Sequence, residues 1–275
     1  MKGKVCIVTG SNTGIGKETA RGLAKEGATV ILACRDMKKA EAAQADIVAS
    51  TGNKAVHAMR LNLGDKAQIR AFAKEFAEKY GRLDVLVNNA GLWPTSRSTT
   101  ADGLETTFGV NHVGTALLTQ ELLPLLKASA PSRVVVLSSK LHYSGKMDWE
   151  DLQFERRKYS ATTAYNQSKL ANVLFTKALA RRLEGTGVTV NAVHPGVVAT
   201  ELARDYPAFL VKIFHLFLLT PEQGAACSLH VATSPELSGV TGEYFEKSRV
   251  KGAAKAALDE EAQERLWKLT EQLAA

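Results

Sequence analysis

Cysteine is scarce in this chain. Its three, Cys6, Cys34 and Cys227, stand far apart among apolar neighbours. An odd, scattered set argues against a disulfide framework or a cysteine metal site and fits a reducing compartment. Long hydrophobic runs are missing too. The longest, residues 209–219, is broken by Lys212 and His215 and falls short of the roughly 20 apolar residues that span a bilayer. Met1-Lys2-Gly3-Lys4 leads straight into an apolar stretch, with no room for a signal peptide or anchor. The expectation is a soluble, cytoplasmic protein without a transmembrane segment, unless an amino-terminal anchor has been removed from the chain. There is no nucleic-acid signature and no interleaved aromatic motif. The formal net charge of +7 would suit an anionic ligand, but the basic residues are dispersed, with only short clusters such as Arg156-Arg157-Lys158. A solvated surface is the simpler reading.

What is present is an alternation of β-rich runs and amphipathic helical stretches. Val5-Cys6-Ile7-Val8-Thr9 is apolar without a period of two, as expected for a strand buried on both faces. Further strands are predicted near residues 29–33, 56–61, 85–87, 133–137, 188–193 and 243–245. Helices are predicted near 15–26, 37–49, 66–79, 106–126, 160–183, 222–233 and 259–273. This order predicts a single α/β domain of 275 residues: a doubly wound sheet of about seven parallel strands with helices on both faces. A cofactor-binding half would span about residues 1–137, and a catalytic and substrate-lid half about 138–275. Ligands on such sheets bind beyond the carboxyl ends of the strands. The polar groups just after each apolar run, Asn62-Leu63, Asn88-Asn89-Ala90-Gly91, Ser138-Ser139 and His194-Pro195-Gly196, should therefore share one edge.

Gly10-Ser11-Asn12-Thr13-Gly14-Ile15-Gly16 joins the first strand to its helix. Glycines there permit a tight turn and close approach of a diphosphate, met by backbone N–H groups at the helix start. A plain strand-to-helix turn would look similar, and the spacing is G-x-x-x-G-x-G rather than G-x-G-x-x-G. At the tip of the second strand an acid suits the ribose 2′-hydroxyl of NAD and an arginine the 2′-phosphate of NADP. Cys34-Arg35 favours NADP(H) over NAD(H), while Asp36 either reaches the ribose or caps the next helix. Lys17 would add charge near the phosphate or sit on the helix surface.

Tyr165 and Lys169 lie four apart on one predicted helix and can enter one pocket. A phenol of pKa about 10 is a poor acid or base at neutral pH unless a fixed ammonium stabilises its phenolate. So tuned, Tyr165 could exchange a proton with an alcohol or carbonyl oxygen.

With the glycine turn, Asn88-Asn89-Ala90-Gly91, Ser139, Tyr165-x-x-x-Lys169 and Pro195-Gly196-x-x-x-Thr200 in this order, the sequence resembles the short-chain dehydrogenase/reductase family over nearly its whole length. More narrowly, Ala33-Cys34-Arg35-Asp36, Val110-Asn111-His112, Ser168-Lys169-Leu170-Ala171-Asn172 and Ala192-Val193-His194-Pro195-Gly196 look like its retinol dehydrogenase branch. The resemblance implies a Rossmann-like fold and an NADP-dependent oxidoreductase of retinal or other lipophilic carbonyls. Tyr165 would be the acid/base, Lys169 would tune it and bond the nicotinamide ribose, Ser139 would polarise the substrate oxygen, and Asn111 would order a water in a proton relay. Gly10, Asn12, Thr13, Gly14, Ile15 and Gly16 would line the diphosphate and adenosine. Arg35, Asn62, Leu63, Asn89, Ala90, Gly91, Pro195, Gly196, Val198 and Thr200 would complete the cofactor site, with no metal.

Asn62-Leu63 stands where relatives have an acid and an aliphatic residue, and the animal members generally begin with an anchor. Residues 201–219 would form an apolar lid whose Tyr206 and Phe209, with Trp93 and His142, would border the substrate; the lid also leaves room for peripheral membrane contact. Pairing through the helices carrying Asn111 and Tyr165 would make a homodimer or homotetramer. The alternatives are a reductase of another carbonyl class, such as a steroid, polyketide or xenobiotic, and a non-catalytic NADP-binding regulator.

Overall fold

The structure, a computed structural model, describes residues 1–196 and 219–275. Seven parallel strands run in the order β3-β2-β1-β4-β5-β6-β7, and an eighth, β8, joins the β7 edge antiparallel. They are β1 Val5–Thr9, β2 Thr29–Cys34, β3 Val56–Arg60, β4 Val85–Asn88, β5 Ser132–Leu137, β6 Val188–His194, β7 Tyr244–Glu246 and β8 Arg249–Lys251. The expected parallel strands are all there. β8 is an addition, a three-residue ribbon with every residue exposed.

Alternate side chains of each strand enter two separate cores, because successive residues point to opposite faces. In β1, Val5 and Ile7 join one cluster, while Cys6 and Val8 join the other. The second face is covered by α1 Gly14–Lys25, α2 Met37–Thr51 and α7 Pro221–Thr233. The first carries α3 Lys66–Tyr80, α5 Thr115–Ala128, α6 Ala161–Arg182 and α8 Glu260–Ala274. Their starts are set locally: Asp36, Asp65, Ser160 and Thr220 each accept from the backbone N–H three residues on. Each such cap is worth about 1 kcal/mol.

The predicted helix over 106–126 is not continuous. A short turn α4, Thr106–Phe108, passes into a π-helical segment, Gly109–Gly114, before α5 begins. The widened turn carries Asn111 and His112. No helix of the described residues is long and apolar enough to cross a membrane, and they contain no group of His, Cys, Asp and Glu able to hold a metal. Val198 and Thr200 of the expected cofactor site, and the expected lid over 201–219 with its Tyr206 and Phe209, lie outside the described residues, apart from Leu219.

Candidate active site

β1 pairs with β2 on one side and β4 on the other, so the strand order reverses between β1 and β4 and the loops beyond them lie side by side. They are stitched together. Thr9 Oγ1 accepts from the backbone N–H groups of Asn89 at 3.0 Å and Ala90 at 2.9 Å, and Asn89 Nδ2 donates back to Thr9 O at 2.8 Å. Gly10, at φ +62°, lies so near Ala90 that a Cβ would come within 3.0 Å of it. A Cβ on Gly16 would sit 2.4 Å from Asn89 Nδ2 and 2.5 Å from Gly10 O. Asn89 therefore holds the glycine turn closed, its amide donors already engaged.

Thr13 precedes α1 in extended conformation without a side-chain cap bond, and the first turn has no acid. Its N–H donors, flanked by half-buried Asn12, Gly14 and Ile15, are met by no side chain of the helix's own start. The donor set and the close-packed glycine turn fit a dinucleotide diphosphate. At the tip of β2, Asp36 caps α2, accepting from Lys39 N at 3.1 Å. Arg35 beside it is exposed and makes no hydrogen bond or ion pair with another described residue. Lys17 is committed to Asp46 of α2 at 2.7 Å. Asn62 turns its Oδ1 onto Gly64 N at 3.1 Å, leaving its Nδ2 as a donor. Leu63 is buried, its carbonyl where a Cβ on Gly114 would be 2.1 Å away, so it seats this loop on the π segment.

The catalytic candidates converge from β4, the π segment, β5 and α6. Tyr165 and Lys169 lie one turn apart on α6, with Lys169 Nζ 5.4 Å from the centre of the Tyr165 ring. Both are almost fully buried. Lys169 Nζ donates to Leu137 O, the last residue of β5, at 3.1 Å. A Cβ on Gly91 would be 3.4 Å from that ammonium and 3.5 Å from Asn111 Oδ1, so Gly91 lies directly over the pair. Of the two adjacent serines, Ser138 donates to Lys169 O at 2.8 Å and is spent on the fold. Ser139 is half-buried, and its side chain favours the ionised form of the Tyr165 phenol.

Burial dominates the electrostatics. It pushes the Tyr165 phenol well above its ordinary range, with the Ser139 side chain pulling the other way. It lowers Lys169 from 10.5 to about 8. At neutral pH the site therefore presents a neutral phenol beside an ammonium, the state that gives up a proton to a substrate oxygen. Lys169, expected to lower Tyr165, is not among the groups that shift it in the protein alone.

Asn111, fully buried, accepts from Leu92 N at 2.9 Å and donates to Leu92 O at 3.0 Å and Ser168 Oγ at 3.1 Å. It thus pins the loop after β4 to α6, with part of the capacity that a water relay would need already used. Trp93, on that loop, stacks on Tyr165 with ring centres 4.5 Å apart and an interplanar angle of 15°. It covers the ring at the carboxyl edge. His142 is placed differently from its expected substrate-lining role: its ring is fully buried and both nitrogens are engaged. Nδ1–H donates to Ser139 O at 2.7 Å and Nε2 accepts from Ala254 N at 3.1 Å, so the residue supports Ser139 from behind. Pro195 and Gly196 follow β6, with Gly196 at φ +93° facing Leu219. The basic run is tied down as well: Arg157 pairs with Asp148 at 3.0 Å and lies over the Phe154 ring at 3.9 Å. His112, Ser168 and Asn172 also surround these candidates; the sequence signal for them is that Ser168 and Asn172 flank Lys169 on α6 and His112 follows Asn111.

A family profile for short chain dehydrogenases matches residues 4–209. Retinol dehydrogenase 13 of Homo sapiens is 50% identical over 273 residues, covering 96% of this chain and 82% of that protein. A structure of an uncharacterised protein from Mycobacterium paratuberculosis superposes with a TM-score of 0.82 at 35% identity, covering 99% of this chain and 94% of that one. A short chain dehydrogenase of Escherichia coli CFT073, complexed with NADPH, gives 0.74 at 27% identity over 90% of this chain and 98% of that one. The chain belongs to the short chain dehydrogenase family. Within that family it falls in the retinol dehydrogenase branch, and it is an oxidoreductase acting on CH–OH and C=O groups.

Proposed function

We propose that this protein is an NADP(H)-dependent oxidoreductase interconverting lipophilic aldehydes or ketones, retinal among them, with their alcohols. The observation that carries the reading is the buried Tyr165 phenol beside the Lys169 ammonium and the Ser139 hydroxyl. The cofactor would be held by the glycine turn, with Arg35 toward its 2′-phosphate, and supplies or accepts the hydride. Tyr165 gives its proton to the carbonyl oxygen as negative charge develops there. Ser139 Oγ steadies that oxygen by hydrogen bonding, and Lys169 stabilises the phenolate left behind. In oxidation the same groups run in reverse. Asn111 and His142 keep the Leu92–Trp93 loop and Ser139 in place. Trp93 over Tyr165 supports an apolar substrate, as do the retinol dehydrogenase relatives.

A panel of carbonyls from long apolar aldehydes to small ketones, assayed with NADPH, tests the substrate class. kcat/KM is expected to rise with apolar chain length; preference for small polar ketones would contradict it. The rate of carbonyl reduction is expected to decline as pH rises through about 8, where Lys169 loses its proton, and to hold steady between pH 6 and 7.5. A flat profile from pH 7 to 9.5 would remove the charge role of Lys169.

Of the two helices through which the resemblance implies pairing, α6 is packed against α8 of its own chain. α8 lies along α6: Trp267 stacks on Phe175 with ring centres 5.7 Å apart, and Glu264 pairs with Arg181 at 2.9 Å and Arg182 at 2.5 Å. α6 is buried around most of its circumference. This supports a chain that does not pair through α6. Light scattering is expected to give the mass of one chain; a stable dimer broken by substitutions on that helix would contradict it.

A further inference from the structure

Two consecutive residues of the π segment grip α6 on either side of Lys169. Asn111 holds Ser168, as described, and His112 holds Asn172: His112 Nδ1 lies 3.3 Å from Asn172 Oδ1. Asn172 Nδ2 donates at 3.1 Å to Leu137 O, the same carbonyl that receives Lys169 Nζ at 3.1 Å. On its other side His112 Nε2 lies 2.8 Å from Thr270 Oγ1 of α8. His112, Asn172 and Thr270 are all buried.

The protons in this chain can be assigned by elimination. Asn172 must turn its NH₂ to Leu137 O, since a carbonyl can only accept, and so it presents Oδ1 to His112. A neutral His112 then needs its proton on Nδ1, because a bare Nδ1 would set two acceptors against each other. Nε2 is left as an acceptor for the Thr270 hydroxyl, which forgoes its other partner, Leu266 O at 2.7 Å. Protonation of both nitrogens would also satisfy the contacts, but burial lowers His112 to about 4, so the ring is neutral at physiological pH.

We propose that His112 and Asn172 are positioning residues for Lys169: they keep the Leu137 carbonyl shared between two donors, so the ammonium is tethered at the site without being locked to that oxygen. The inference rests on the catalytic reading of Lys169 given above. If the Asn172 amide is released, the Leu137 carbonyl is left to Lys169 alone, and if it is inverted an acceptor replaces the competing donor; either way Lys169 is drawn back toward β5. Around Lys169 Nζ the described groups are Tyr165 of its own helix, the Leu137 carbonyl, the Gly91 backbone and Asn111, with the neutral His112 one residue further out. No charged group of the described residues contributes to the Lys169 shift, which comes from burial.

The first test needs no turnover. Nitrogen-15 NMR of the imidazoles in the protein alone is expected to show His112 neutral at pH 7 with its proton on Nδ1. A proton on Nε2 would overturn the clamp whatever the enzyme's activity. The second compares His112→Leu with His112→Asn, whose amide can replace the Nδ1 donor, alongside Asn172→Asp. His112→Leu is expected to lower kcat about 10-fold with the carbonyl KM unchanged, and to move the alkaline limb of the pH profile upward by about half a unit. His112→Asn should recover both, and Asn172→Asp should move the limb furthest, by one unit or more. Variants that lose activity in step with thermal stability, on an unmoved limb, would reduce the clamp to a structural role. Tyr165→Phe assayed in parallel separates this outcome from failure of the catalytic reading.

Discussion

Tyr165→Phe is expected to lower the rate of carbonyl reduction on the order of 10³-fold while leaving NADPH binding within about twofold. The change isolates one atom. Phenylalanine keeps the ring that stacks on Trp93 and fills the same buried volume, so neither α6 nor the loop after β4 loses its packing. What disappears is the phenolic proton, together with the polar group that faces Ser139. Proton transfer by a positioned side chain is worth about 10²–10⁴-fold, and the remaining groups cannot replace it. Ser139 is an alcohol that accepts from Leu141 N at 3.2 Å, and the Lys169 ammonium is held at Leu137 O. Steady-state rates together with fluorescence titration of NADPH would check both halves of this expectation. A variant retaining more than a tenth of the wild-type rate would require a different acid.

Arg35→Ala is expected to raise KM for NADPH by about 10- to 100-fold and to leave KM for NADH nearly unchanged. A hydrogen bond to a charged group is worth about 1.5–3 kcal/mol, which sets that range. The expectation stands on how the tip of β2 is arranged. Asp36, the one acid that could have taken a ribose hydroxyl there, has its carboxylate on the first turn of α2. Lys17 is drawn away to Asp46. That leaves the exposed Arg35 guanidinium as the charge at the strand's carboxyl end without a partner among the described residues. Kinetics with both cofactors on the same carbonyl would check it. Equal changes for NADPH and NADH would remove the 2′-phosphate role.

The sheet was legible because strands buried on two faces must be apolar without alternation, as β1, β4 and β5 are, and because glycines and caps punctuate the helices between them. Asp36 was ambiguous for a physical reason: a carboxylate at a strand tip can bind a ribose or cap a helix, and only the path of the backbone decides. The π segment was hidden, since widening one turn leaves the apolar pattern of residues 106–126 nearly intact. β8 escaped because Arg249, Val250 and Lys251 are all exposed and carry no burial pattern. His142 follows Ser139 by three residues, which makes a substrate-facing position the natural expectation, yet its partners are the Ser139 carbonyl and the distant Ala254 amide. His112, Asn172 and Thr270 meet only after α6 and α8 have packed. Polar residues that close their hydrogen bonds across the core look like ordinary surface positions in a linear chain.

The most direct test of the account follows absorbance at the reduced-nicotinamide band for wild-type protein and Tyr165→Phe side by side, with NADPH or NADH and either retinal or a small ketone. The account predicts rapid NADPH consumption with retinal, little with NADH or the small ketone, and loss of the signal in the variant. Consumption that persists in Tyr165→Phe, or silence of the wild type across a broad panel of apolar carbonyls despite NADPH binding, would contradict it.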